Sequence, residues 1–164
     1  MSPDLERALQ QIHGGKVLDV GTGAGNSLRT ILNLLSDYEE AIGIDPSEKS
    51  IAQARAHQTL KNVTFEVMSG EHLEYHNETF ETVISCDSLH HLEHPEAVLR
   101  ELKRVLKPGG QILINEVISD GRPETENSYH HFHHWLAEID RLQGISHFKT
   151  LTRAQLFEKV DLLE

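Results

Sequence analysis

Short β-rich runs alternate with amphipathic runs along most of the chain. The first strand is predicted at residues 16–20, where Val17, Leu18 and Val20 suit a strand buried on both faces. Others are predicted at residues 41–44, 63–67, 80–86 and 111–117. Helical spacing governs the intervals. Leu5, Leu9 and Ile12 share one face of a leading helix over residues 5–13, which Gly14 and Gly15 end. Leu28, Ile31, Leu32 and Leu35 line a helix over residues 26–36. Pro46 and Ser47 open another that runs to about residue 60. Val98, Leu99, Leu102, Val105 and Leu106 face inward from a helix over residues 95–106, and Lys107, Pro108, Gly109 and Gly110 stop it. After the fifth strand the pattern is helical, over residues 124–142 and again over 152–162 with Thr152 as N-cap. This order predicts an α/β fold: one doubly wound domain over residues 1–164, its mostly parallel sheet lying between helical layers.

Composition narrows the function classes a little further. A chain of 164 residues supports one hydrophobic core. With 38% hydrophobic and 25% charged residues it falls among folded chains, not disordered ones. No apolar run approaches the roughly 18 residues of a membrane span, and the amino terminus lacks the basic start of a secretion signal. Cys86 is the lone cysteine, so no internal disulfide forms. That points to a reducing compartment, the cytoplasm. The formal net charge of -11 predicts a field that repels nucleic acid unless basic residues concentrate locally. Arg100, Lys103, Arg104 and Lys107 are the densest basic group and read as a solvated helix face.

Candidate chemistry starts at Val17-Leu18-Asp19-Val20-Gly21-Thr22-Gly23-Ala24-Gly25-Asn26. Three glycines at alternate positions follow a strand and open a helix. Glycine reaches torsions closed to other residues and lets a ligand approach the main chain. In an open parallel sheet such a turn lies at the carboxyl edge, where ligands bind. Asp45 ends the second strand, about twenty residues on, where an acid accepts the hydroxyls of a ribose. The dinucleotide fingerprint places its third glycine at the sixth position, which is Asn26 here. Asp19, two residues before Gly21, offers nothing to a diphosphate. It suits a ligand with an ammonium group. S-adenosylmethionine carries an amine, a carboxylate and a sulfonium, and is favoured over a nicotinamide cofactor.

Four segments in this order resemble the class I S-adenosylmethionine-dependent methyltransferases, within them the small-molecule enzymes of ubiquinone and menaquinone biosynthesis. They are the glycine segment above; Gly43-Ile44-Asp45-Pro46-Ser47; Phe80 to Leu92, ending Cys86-Asp87-Ser88-Leu89-His90-His91-Leu92; and Arg100 to Gly110, ending Leu106-Lys107-Pro108-Gly109-Gly110. The resemblance implies a Rossmann-like three-layer fold and a soluble enzyme that takes S-adenosylmethionine and releases S-adenosylhomocysteine. It places Gly21, Thr22, Gly23 and Gly25 beside the methionine moiety, Asp19 at its amino group, Asp45 at the ribose and Pro46 near the adenine. The family's acid for the adenine amine is replaced by Ser69, so Ser69, Gly70 and Glu71 become the candidates there. Cys86 and Asp87 fall beside the transferred methyl. The family's fold has seven strands, the last two a hairpin, whereas five are read here. That predicts a short or truncated form, with the fifth strand as an exposed edge and a homodimer through that edge or the helices beyond it.

Methyl transfer from a sulfonium is an in-line displacement that asks mainly for alignment and exclusion of water. A base is needed only when the acceptor must lose a proton. His90 and His91, directly after the fourth strand, are the candidates, and Asp87 either orients one of them or caps the following turn. Twelve histidines are present. Tyr129-His130-His131-Phe132-His133-His134-Trp135 groups four of them in a segment that reads as an acceptor-pocket wall; no metal site is assigned. The Asn/Asp-Pro-Pro-Tyr signature of amino-methyltransferases is absent. The expected reaction is methyl transfer to the oxygen or carbon of a small molecule. An RNA or protein methyltransferase, or a non-catalytic cofactor-binding assembly domain, is the alternative.

Overall fold

The computed structural model describes residues 3–120, 148 and 150–161. The elements run α1 (Pro3–Leu9), β1 (Lys16–Val20), α2 (Asn26–Leu32), β2 (Glu40–Asp45), α3 (Glu48–Ala56), β3 (Val63–Val67) and β4 (Phe80–Cys86). A 3-10 turn (Leu89–His91), α4 (Pro95–Val105), β5 (Leu106–Asn115) and α5 (Arg153–Val160) follow. The strands form one sheet in the order β3-β2-β1-β4-β5, and every pairing is parallel. The histidine-rich segment and the helix expected over residues 124–142 lie outside the described residues.

Two cores flank the sheet. On one face Leu18, Val20, Ile42, Ile44 and Val83 pack against Val98, Leu99, Leu102 and Val105 of α4. On the other, Val17, Ala41, Phe65 and Ile84 meet Leu9 of α1, Leu28 and Ile31 of α2, and Ile51 and Ala54 of α3. This is the three-layer α/β arrangement that the alternating pattern implies. Strand order reverses between β1 and β4, and the crevice at their carboxyl ends is where such sheets bind ligands. Among the described residues no helix is long and apolar enough to cross a membrane.

Several boundaries depart from expectation. Helix α2 stops at Leu32, not at residue 36, although Leu35 stays buried in the turns that follow. Ser36 there is tied to α1's trailing segment, its hydroxyl donating to the Ile12 carbonyl at 2.7 Å. Helix α3 is also shorter than expected, capped at its start by the Ser47 hydroxyl, which accepts from Ser50 N–H. The largest difference is in β5. Lys107-Pro108-Gly109-Gly110, expected to separate helix from strand, lies inside the strand. Leu106 pairs with Phe80 and Gln111 with Thr82, so β5 carries extra residues over one step of β4. Gly109 at φ 77 lets the chain turn there, and Gly110 lies against the Glu81 carbonyl. Ile112 and Ile114 pack on the α4 side and Leu113 on the other, as alternation requires. The strand ends at Asn115, two residues early, which frees Glu116 to turn back over the sheet edge.

Candidate methyl-donor site

The glycine turn joins β1 to α2 at the reversal point. Gly21 and Thr22 both donate to the Ile44 carbonyl, each at 2.9 Å, which folds the turn onto the end of β2. Gly21, Gly23 and Gly25 have φ of 77, 54 and 77°, a region where side chains are strained. Two of the three also lack space for a Cβ: at Gly21 it would lie 2.6 Å from Ser88 Cβ, and at Gly25 2.8 Å from the Phe65 ring. At Gly23 a Cβ would meet nothing within 4 Å. The turn is therefore packed on its inner side and open over Gly23.

Asp45 shapes the same turn. Its Oδ2 accepts from Gly23 N–H at 3.0 Å, and its Oδ1 accepts from Ser47 N–H at 2.9 Å. Each carboxylate oxygen has a second lone pair for a ligand hydroxyl. Pro46 beside it is exposed. The Met68 N–H donates to the Asp45 carbonyl, which brings the segment after β3 alongside. There Ser69 and Glu71 are exposed, Ser69 Oγ accepts from Glu71 N–H at 3.3 Å, and Gly70 is buried against Val20.

Asp19 is the anomaly. It is 1% exposed, and neither carboxylate oxygen has a hydrogen-bond partner. Burial pushes its carboxyl up to about 7; the Thr22 side chain pulls the other way, and the charge of Asp45 adds to the rise. Thr22 lies close, but its buried Oγ1 is not in hydrogen-bond geometry with any group. A buried acid without donors is costly unless a cation completes it. An ammonium group would complete it. With Asp45 for a ribose and the open face over Gly23, the residues present fit S-adenosylmethionine.

Across the crevice, Cys86 ends β4. Burial, with the charges of Asp19, Asp87 and Glu116, pushes its thiol up to about 12, so it is not a nucleophile at neutral pH. A cavity of about 400 Å³ opens beside it, between Asn26, Ser27 and Thr30 of α2 and Leu113 and Asn115 of β5. Asp87 adopts φ 48 and donates its N–H to the Asn115 carbonyl at 2.7 Å. Its carboxyl is pushed upward by burial and by the charge of Glu116, while His90 opposes the shift. Ser88 then reaches back, its Oγ sharing a hydrogen bond with Ser85 Oγ and donating to the Val20 carbonyl.

The two candidate histidines part company here. His90 is buried and His91 exposed, with ring centroids 4.3 Å apart. His90 Nδ1 is bonded to Glu116 Oε2 at 2.8 Å; the orienting carboxylate is Glu116, not Asp87. Glu116 Oε1 accepts from Ser88 and Leu89 N–H, both at 2.7 Å. The sequence reading missed Glu116. The available signal was an acid just past an apolar strand at the ligand edge, the same placement that drew attention to Asp45.

A profile of the methyltransferase domain family matches residues 18–114. The chain belongs to that family. The matched stretch contains the glycine turn, Asp45, Cys86 and both histidines. Family and fold make S-adenosylmethionine the cofactor of the methyltransferase domain. In fold it is similar to an S-adenosylmethionine-dependent methyltransferase from Mesorhizobium loti, with a TM-score of 0.68 and 22% identity over 98% of this chain and 78% of the other. In sequence it is 32% identical to the tRNA U34 carboxymethyltransferase of Idiomarina loihiensis, over 71% of this chain and 37% of that protein. It is 33% identical to a phosphoethanolamine N-methyltransferase of Triticum aestivum, over 69% of this chain and 23% of that protein. The chain spans at most about half the length of such curated relatives.

The expectation that nucleic acid is repelled is overturned by these relatives. tRNA U34 carboxymethyltransferases recur among them, from two Campylobacter species and a Sulfurovum as well. Net charge is a sum over the whole surface, and RNA contact depends on the local field at the site. Of the basic group, Arg100 and Lys103 are exposed, whereas the other two are engaged within the fold. Arg104 is held by Glu101 and by the carbonyls of Leu73 and Tyr75, and Lys107 pairs with Glu81.

Proposed function

We propose that the methyltransferase domain transfers the methyl group of S-adenosylmethionine to a nucleoside of RNA. The unpartnered, buried Asp19 carboxylate carries the donor half of this reading. It supports an amine-bearing ligand seated on the glycine turn, with the ribose at Asp45 and the adenine toward Pro46, Ser69, Gly70 and Glu71. When bound, S-adenosylmethionine supplies a methyl on a cationic sulfur. The chain's own task is to hold that cation, align the acceptor and keep water out. Asp19 binds the ammonium, Gly21 and Gly25 hold the turn in shape, and the wall from Cys86 to His91 faces the acceptor. The acceptor half rests on the tRNA-modifying relatives, one of which is similar over 92% of this chain.

A second acceptor class is favoured by one observation. The cavity beside Cys86 is lined by Leu9, Ile31 and Leu113 and is of a size for a small molecule. It supports methylation of the oxygen or carbon of an apolar compound such as a quinol. Cytoplasmic residence is part of the same proposal and rests on Cys86 being the single cysteine of the chain.

Titration calorimetry tests the donor half: S-adenosylmethionine and S-adenosylhomocysteine bind, and NAD does not. Tighter binding of NAD overturns it. Transfer of labelled methyl into total tRNA tests the acceptor half, and label appearing only in an extracted small-molecule pool selects the second class.

A further inference from the structure

We propose that the Asp87 carboxylate borders the cavity beside Cys86 and takes the acceptor's proton there as the methyl group is transferred. This rests on the transfer reaction proposed above. Asn26, Ser27, Thr30, Cys86, Leu113 and Asn115 line the cavity, and every described side chain on its wall is uncharged. Amides and hydroxyls are poor bases, and burial keeps the one thiol protonated at neutral pH. A wall of this kind holds a neutral acceptor and takes no proton from it. The base must stand beside the wall.

Three acids lie close enough to the Cys86 thiol for their charges to add to burial in pushing it up: Asp19, Asp87 and Glu116. Two of them are withdrawn from the crevice. Asp19 is 1% exposed at the end of β1, where it suits the ammonium of the donor. Glu116 is 2% exposed and is bonded to Ser88 N–H, Leu89 N–H and His90 Nδ1. Asp87 differs from both. It is exposed, and the 3-10 turn after it takes no side-chain cap, so its carboxylate does not serve to hold that turn. The backbone fixes its place. Asp87 follows Cys86, adopts φ 48 and donates its N–H to the Asn115 carbonyl at 2.7 Å, which pins it between two residues of the cavity wall. The protein packed around its carboxyl, and then the charge of Glu116, push it upward against the opposing His90, which makes it a stronger base near neutral pH.

The step balances as follows. The acceptor's nucleophilic atom bonds to the methyl carbon, and the carbon–sulfur bond breaks with its electron pair kept by sulfur. The acceptor's proton passes to a carboxylate oxygen of Asp87. The neutral acid so formed returns the proton to water after the product leaves, because the side chain is exposed.

The test combines thiol chemistry with kinetics. Asn and Gly both tolerate φ 48, so Asp87→Asn and Asp87→Gly leave the backbone in place. Cys86 is the single cysteine, and its alkylation by N-ethylmaleimide reads the charge beside the cavity without any turnover. In Asp87→Asn that reaction at about pH 8 should run several-fold faster, because a charge that holds the thiol up is gone. With labelled S-adenosylmethionine and total tRNA, both variants should lose roughly a hundred-fold or more in kcat. Their affinity for S-adenosylhomocysteine should stay within about two-fold. Added formate should restore part of the kcat of Asp87→Gly, which a merely structural role does not allow. An unchanged alkylation rate places the carboxylate away from the cavity and overturns the proposal. So does a kcat within about two-fold of wild type, or a loss that formate leaves as it is. Wild-type protein that binds the cofactor yet puts no label into tRNA defeats the RNA reading alone; Asp87 is then judged by the alkylation rates and by the same kcat comparison on the small-molecule pool.

Discussion

Asp19→Asn should stabilise the ligand-free domain above neutral pH and remove its grip on the methyl donor. The acid sits at the end of β1, 1% exposed and without a hydrogen bond to either oxygen. Burial first, and the charge of Asp45 as well, raise it from an ordinary 3.8 to about 7 against the pull of Thr22. At 1.36 kcal/mol per pH unit, that rise corresponds to about 4 kcal/mol. Because the folded chain holds the proton more tightly than the unfolded one, stability falls as pH climbs from about 3.8 to about 7. Above that the full penalty remains. An amide carries no charge, so the variant should gain up to about 4 kcal/mol at pH 8.5. For a chain of this size that is on the order of 10 °C in Tm. At pH 5 the folded acid is protonated but the unfolded one is still ionised, so the gain should shrink to about 1.6 kcal/mol, and it should vanish only below about 3.8.

Cofactor binding should run the other way. An ammonium needs the carboxylate, so wild-type affinity should weaken about tenfold for each pH unit below 7 and level off above it. The variant should bind weakly at every pH. Thermal unfolding and titration calorimetry with S-adenosylhomocysteine, from pH 5.5 to 8.5, read both effects. A variant no more stable than wild type at pH 8.5, or a wild-type affinity that is flat across the range, would refute the reasoning.

Other outcomes follow from the same geometry. Asp45→Ala should weaken cofactor binding by roughly 1–3 kcal/mol through lost charge-assisted hydrogen bonds, and unchanged calorimetry would remove Asp45 from the site. Gly25→Ala imposes a side chain at φ 77 and drives a Cβ against Phe65, so urea unfolding should show a loss of at least about 1 kcal/mol. Phe80→Ala empties a fully buried position that also packs edge-on to Tyr75, and should cost about 3–5 kcal/mol in the same assay. Arg104→Ala releases the carbonyls of Leu73 and Tyr75, and hydrogen exchange should speed up in residues 73–79 while the amides of β1 keep their protection.

Much of this domain was legible from residue order alone. Runs such as Val17-Leu18 and Val83-Ile84 are buried on both faces of a sheet, and only a doubly covered parallel sheet gives every position in such a run an apolar neighbour. The spacing of Gly21, Gly23 and Gly25 after a strand, with Asp45 after the next, likewise marked the turn at the sheet's reversal point, because those glycines answer local demands of torsion and space. Local pattern was less able to find limits. Lys107 to Gly110 is a strong stop signal, yet pairing with β4 carries it into the strand. What tertiary structure alone decided was the company each polar group keeps. Asp19 and Glu116 are both acids at strand ends. One is buried with no donor, and the other is buried with three N–H groups around it. That difference arises from residues 26 or more positions away folding over the same edge, and spacing along a chain holds no record of it.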